Sequence, residues 1–223
     1  MNVVCLAALV IGSGSCGPPR TWDFNTSVIN EPPSSCEFEG CGADGEWRVI
    51  EDDGEKVLAQ LDRTQEPQRM TLALLKESHV CNVRVSSRIR VIEGETEQSG
   101  GIVWRFEDPK NYMLARLDVM DGRVALYRVC QGHRTMFGVA RNLTLEKGRW
   151  YTLRVEHKDN VVKVYLDDEI QFIRWSKHLD ECGKVGMWAK GDSAVQFDDF
   201  RLFNRDHSDD RCRDEEDDND VER

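Results

Sequence analysis

The sequence predicts an all-β chain whose antiparallel strands pack as a two-sheet jelly-roll sandwich. Apolar residues recur with period two from Trp47 onward. No stretch sustains the i, i+3, i+4, i+7 recurrence of an amphipathic helix. Turn-forming residues break the runs at short intervals, and many short strands so spaced fold into two sheets over one core. About 200 residues suit a single domain of this kind.

In chain order, residues 1–20 read as an export or lipoprotein signal. The apolar run Val3 to Ile11 precedes Gly12, Ser13, Gly14, Ser15 and Cys16, and is too short to span a bilayer. No Lys or Arg comes before it. Cys16 is the candidate lipid anchor, although Ser13 stands where a lipobox usually has Leu. Membrane contact is expected only through that anchor, and the location is extracytoplasmic: periplasmic, envelope-anchored or secreted.

Residues 21–205 form the jelly-roll domain. Gly17 to Asp44 is rich in Pro, Ser, Gly and Asn, and reads as loop around a first edge strand at Trp22-Asp23-Phe24. Next, Val83, Val85, Ile89 and Val91 alternate with Arg84, Ser86, Arg88 and Arg90, as a strand buried on one face requires. Further strands are expected near Gly101–Glu107, Tyr112–Val119, Arg123–Gln131, Thr135–Ala140, Trp150–His157, Val161–Leu166, Lys184–Lys190 and Val195–Phe203. Asp108-Pro109-Lys110-Asn111, Asp121-Gly122, Lys147-Gly148 and Asp159-Asn160 supply the turns between them. Trp175 to Cys182 has a short helical flavour and reads as an excursion between strands. No 20–50-residue repeat is visible, which disfavours a propeller or solenoid. Residues 206–223 are an acidic tail expected to be solvated and disordered.

The 41 acidic residues against 30 Lys plus Arg give a net charge of −11, which argues against nucleic acid as a partner. With Cys5 and Cys16 in the signal, Cys36, Cys41, Cys81, Cys130, Cys182 and Cys212 remain. An even set suits up to three disulfides in an oxidising compartment, with fifteen pairings open. Their spacing is not a zinc pattern. The histidines are scattered, His157 falling in inward alternation with Val155, and no Ser elbow or phosphate-cradling loop appears. Asn25-Thr26-Ser27 and Asn142-Leu143-Thr144 fit the glycosylation pattern, relevant only in a eukaryotic secretory pathway.

Five segments carry a family resemblance: Ser99 to Phe106, Asn111 to Arg116, Gly148 to Val155, Gly183 to Asp192, and the last strand Val195 to Leu202. Over roughly Trp22 to Phe203 the chain resembles the concanavalin A-like lectin and glucanase jelly rolls. Within them it is most similar to laminin-G-like domains and the 3-keto-disaccharide hydrolase domain family. The resemblance implies a concave sheet face that binds or processes glycans, with Arg105, Tyr112, Arg116, Trp188, Lys190 and Asp192 as the candidate ligand-binding residues, and it points to a bacterial source. Aromatic faces stack on sugar rings while Arg, Lys and Asp hydrogen-bond the groups around them. Parity on the strand puts Arg116 with Tyr112, and Lys190 with Trp188.

Paired carboxylates for glycoside hydrolysis are sought among alternating acids. Only Glu93-Gly94-Glu95-Thr96-Glu97 qualifies, and Gly94 with Gln98-Ser99-Gly100-Gly101 reads as a solvated hairpin loop. Asp23 on the first strand and Asp198 or Asp199 on the last would meet if those strands pair, a start toward a structural calcium site; no other cofactor is expected. The expected function is a non-catalytic module for a carbohydrate or glycoconjugate. The alternatives are a glycoside hydrolase or lyase of the 3-keto-disaccharide type, for which Asp192 is the local carboxylate, and a laminin-G-like structural or protein-binding domain.

Overall fold

The computed structural model describes residues 19–41, 45–66, 69–175 and 181–205. Cys16, Cys212, most of the expected signal, the middle of the excursion after Trp175 and the acidic tail lie outside them. The strands are β1 (Arg20–Trp22), β2 (Cys36–Cys41), β3 (Trp47–Asp52), β4 (Glu55–Gln60), β5 (Met70–Leu75), β6 (Val83–Glu93), β7 (Ser99–Asp108), β8 (Asn111–Asp118), β9 (Arg123–Cys130), β10 (His133–Ala140), β11 (Tyr151–Lys158), β12 (Val161–Leu166), β13 (Glu169–Trp175), β14 (Lys184–Lys190) and β15 (Ala194–Asn204). One sheet runs β13-β12-β11-β6-β15-β4-β3 with β1 also on β15, and the other runs β10-β9-β8-β7-β14-β5-β2. The pairings are antiparallel throughout, and the result is the jelly-roll sandwich the sequence predicts.

Three elements differ from the sequence expectation. The first strand is Arg20–Trp22, starting inside the segment assigned to the signal, and Phe24 turns the chain with a φ of 58°. The Pro- and Ser-rich stretch expected to be loop holds β2, whose Cys36 and Phe38 face the core although charged residues flank them. β13, unassigned in the sequence, pairs with β12 at the edge of its sheet, where the exposed Ile170, Ile173 and Trp175 blur the alternation.

β6 keeps the predicted alternation, with Val83, Val85, Ile89 and Val91 in the core and its arginines half-buried outside. Ser87 also points inward and is satisfied, donating to the Asp198 carbonyl at 3.0 Å. β7 and β8 behave differently. Ile102, Trp104, Met113 and Ala115 fill the core between the sheets, while Val103, Phe106, Tyr112 and Leu114 belong to a second buried apolar cluster. Strands buried on both faces lose the hydrophobic–polar alternation.

Cys81 and Cys182 form a disulfide that ties the chain before β6 to the chain before β14. Beside it, Val80 and Gly183 exchange backbone hydrogen bonds. Cys36 and Cys130 are free thiols, so the six cysteines do not make three bridges; burial pushes the Cys36 thiol up to about 11. Cross-sheet contact includes one buried polar pair, in which Trp104 Nε1 on β7 donates to His157 Nδ1 on β11 at 3.0 Å. His157 Nε2 then carries the proton and donates to the Asp159 carbonyl at 3.1 Å, which fixes the neutral tautomer.

Burial first, and then the nearby Arg105 charge, push the His157 pKa down to about 3. A histidine depressed from about 6.5 contributes stability that is fully present above pH 6.5 and lost as pH falls toward 3, on the order of 4 kcal/mol in all. Asp198, raised by burial to about 6, works in the opposite sense between about pH 4 and 6. We expect His157→Gln to be less stable than the parent at pH 7 and to converge with it near pH 4 in urea titrations. Parallel curves for the two proteins would show that His157 does not titrate with unfolding.

Candidate functional site

The second apolar cluster lies on the face of the seven-stranded sheet turned away from the core, and Trp188 sits in it. In register, Trp188 on β14 is opposite Leu72 on β5 and Gly101 on β7, and Gly101 is opposite Arg116 on β8. The Arg116 guanidinium lies 5.8 Å over the indole. Trp188 is thus packed as a floor, only 1% exposed, and does not present the open stacking face the sequence suggests.

Above that floor is a chain of charges. Glu97 bridges two of the expected site residues, one carboxylate oxygen accepting from Arg116 Nη2 at 2.6 Å and the other from Lys190 Nζ at 2.6 Å. Arg116 also reaches Asp118 at 2.8 Å, and Asp118 and Asp121 hold Arg123 at 3.0 and 2.6 Å. Arg116 and Asp118 are buried, Lys190 and Glu97 half-open at 13% and 21% side-chain exposure. Among the described residues, Trp188 Nε1 and Arg116 Nε are buried donors without a partner.

Asp192 holds this arrangement in place. Its carboxylate accepts from the backbone amides of Glu95, Thr96 and Glu97 at 2.7, 3.0 and 2.9 Å and from the Thr96 hydroxyl at 2.9 Å. Consecutive amides turned on one carboxylate form an anion nest. Burial acts to raise the Asp192 pKa, but these hydrogen bonds outweigh it and the net shift is downward. Gly94 permits the tight loop, since a Cβ there would stand 1.9 Å from the Glu97 carbonyl oxygen. Asp192 is therefore a positioning residue for Glu97.

The other expected residues fall apart from this cluster. Tyr112 lies in the same apolar cluster as Trp188, its hydroxyl 3.0 Å from Met70 Sδ. Arg105 sits at a bulge with a φ of 50°, where the β7–β8 register shifts, and its Nε donates to the Cys81 carbonyl. At the bulge the alternation of β7 shifts, so Phe106 joins the outer cluster and Arg105 serves the disulfide end. β1 does pair with β15, Trp22 opposite Phe200, so Asp23 and Asp199 follow directly on the paired segment. Asp23 Oδ1 accepts from the Asn25 amide at 3.1 Å, and Asp199 faces Arg88 at 3.4 Å and Arg201 at 4.0 Å. Among the described residues no group of three or more His, Cys, Asp or Glu side chains converges as a metal site. A cavity of about 330 Å³ beside β1 takes in the expected metal ligand Asp23, with Trp22, Phe24, Glu31, Pro32 and Pro33 also in its lining. Charged groups converge at Glu97, which makes that cluster the candidate site, and none of its residues lines the cavity.

Glu97, Asp118 and Arg123 were missed by the sequence reading, which left Glu97 in a solvated loop. The signal available was Gly94 three residues before it, with Asp192 in a Gly191-Asp192-Ser193 turn to receive the loop.

Solved structures share this two-sheet jelly-roll fold. A carbohydrate-binding module, CBM66 from Bacillus subtilis, superposes with a TM-score of 0.61 at 17% identity, over 77% of this chain and 98% of the module. Domain 4 of an extracellular arabinanase from Geobacillus stearothermophilus, solved with arabinotriose, gives 0.53 at 14% identity over 82% and 90%. A β-glucanase from Bacillus licheniformis gives 0.57 at 10% identity over 84% and 98%. No family model matches the chain, and no curated protein matches it in sequence.

Asp192→Ala removes the acceptor of four hydrogen bonds and leaves three amides unpartnered, a loss of about 2–4 kcal/mol. We expect a lowered melting temperature and faster amide exchange at residues 95–97. Exchange unchanged there would show that the loop holds itself.

Proposed function

We propose that the chain is a non-catalytic carbohydrate-binding module that works outside the cytoplasm. The carrying observation is the Arg116–Glu97–Lys190 bridge seated over Trp188 on the outer face of the seven-stranded sheet. Its fold likeness to a carbohydrate-binding module and to an arabinotriose-bound domain supports the reading, and the Cys81–Cys182 disulfide suits an oxidising compartment. The ligand approaches over Glu97 and Lys190, the half-open members of the cluster, with the packed indole as floor.

Glycoside hydrolysis needs two carboxyls in different roles across the scissile bond. Here Glu97 and Asp118 both contact the same Arg116 guanidinium, and each is committed to ion pairs. That arrangement suits recognition by fixed hydrogen bonds.

The test is titration of the chain against a panel of polysaccharides, followed by incubation of each bound one. Saturable binding without product is expected. Lys190→Ala should weaken it tenfold to about a hundredfold, the loss of one charge-assisted hydrogen bond, with the melting temperature little changed. Product release would make the chain an enzyme, and failure to bind any glycan would leave a structural or protein-binding domain.

A further inference from the structure

Taking the carbohydrate-binding reading as its basis, we propose that the Glu97 cluster selects neutral, hydroxyl-bearing glycans and discriminates against carboxylated ones. Every cation of the cluster already faces a carboxylate. Arg116 faces Glu97 and Asp118, Lys190 faces Glu97, and Arg123 faces Asp118 and Asp121. Three cations against three carboxylates leave no net positive charge for a ligand anion.

A uronate placed between Arg116 and Lys190 would have to displace Glu97 or share their charge with it. It would also meet Asp118 and Asp121 close by. The rest of the chain, at net −11, adds repulsion rather than steering.

The half-open groups fit a neutral ligand. Lys190 Nζ has donors beyond the one given to Glu97, and the Glu97 oxygens have lone pairs beyond those they share with Arg116 and Lys190. A donor and an acceptor side by side match a sugar hydroxyl, which accepts from one and donates to the other.

The experiment titrates the full chain with arabinan and unsubstituted xylan against polygalacturonate and glucuronic acid-substituted xylan, at 50 and 500 mM NaCl. We expect a neutral polysaccharide to bind at least tenfold tighter than any acidic one, with affinity changing less than twofold over the salt range. Glu97→Gln, which takes one carboxylate from the cluster and should lower the melting temperature, should gain salt-sensitive binding of the acidic polysaccharides once circular dichroism shows the sheets retained. Preference of the unsubstituted chain for acidic polysaccharides would overturn this inference alone and mark Glu97 as a displaceable stand-in for a ligand carboxylate. Silence on both classes would overturn the carbohydrate reading together with it.

Discussion

The central strands of the seven-stranded sheet, β5, β14, β7, β8 and β9, are buried on both faces, and the candidate site follows from that constraint. β8 carries Tyr112, Leu114, Arg116 and Asp118 on its outer side, all nearly inaccessible to water. An arginine and an aspartate so placed persist only if their charges and hydrogen-bonding groups find partners. Arg116 finds Asp118 on its own strand and Glu97 from the neighbouring loop, and Glu97 brings in Lys190. The polar cluster is therefore the sheet's answer to a burial problem, and only its outer members retain enough exposure to meet a ligand.

The same economy explains the hub at Asp192. A carboxylate that satisfies three consecutive amides fixes the loop's backbone more tightly than side-chain packing would. Glu97 then enters the cluster without further ordering cost, so the geometry is set before a ligand arrives. Burial and hydrogen bonding push the Asp192 pKa in opposite directions, and the hydrogen bonds win because every amide points at the charged form.

The fold was legible because β6, β11 and β12 are covered on one face and show alternation directly in sequence. Strand parity put Arg116 on a face with Tyr112 and Lys190 on a face with Trp188, and the ladders there are regular. Arg105 entered the candidate set through the family resemblance, and a bulge with a left-handed residue, which no residue type there announces, shifts the register at that point. Asp192 is expected at the ligand, and its carboxylate also holds a loop nearly a hundred residues away, a partner that a single carboxylate in a turn does not announce. β2 was read as loop because its core-facing residues number too few to establish a period.

A jelly roll shared by binding modules and a glucanase leaves chemistry to the side chains on one face. What separates the two uses is how the carboxylates are held. Binding wants carboxylates pinned as acceptors by fixed cations, which orders them and stabilises the buried charge. Hydrolysis wants two carboxyls in unlike environments, so that one gives a proton while the other stays charged. Glu97 and Asp118 share one guanidinium, and each has a second cation beside it, Lys190 for Glu97 and Arg123 for Asp118. The arrangement that solves the burial problem of Arg116 thereby also supplies the fixed acceptors that the proposed binding role calls for.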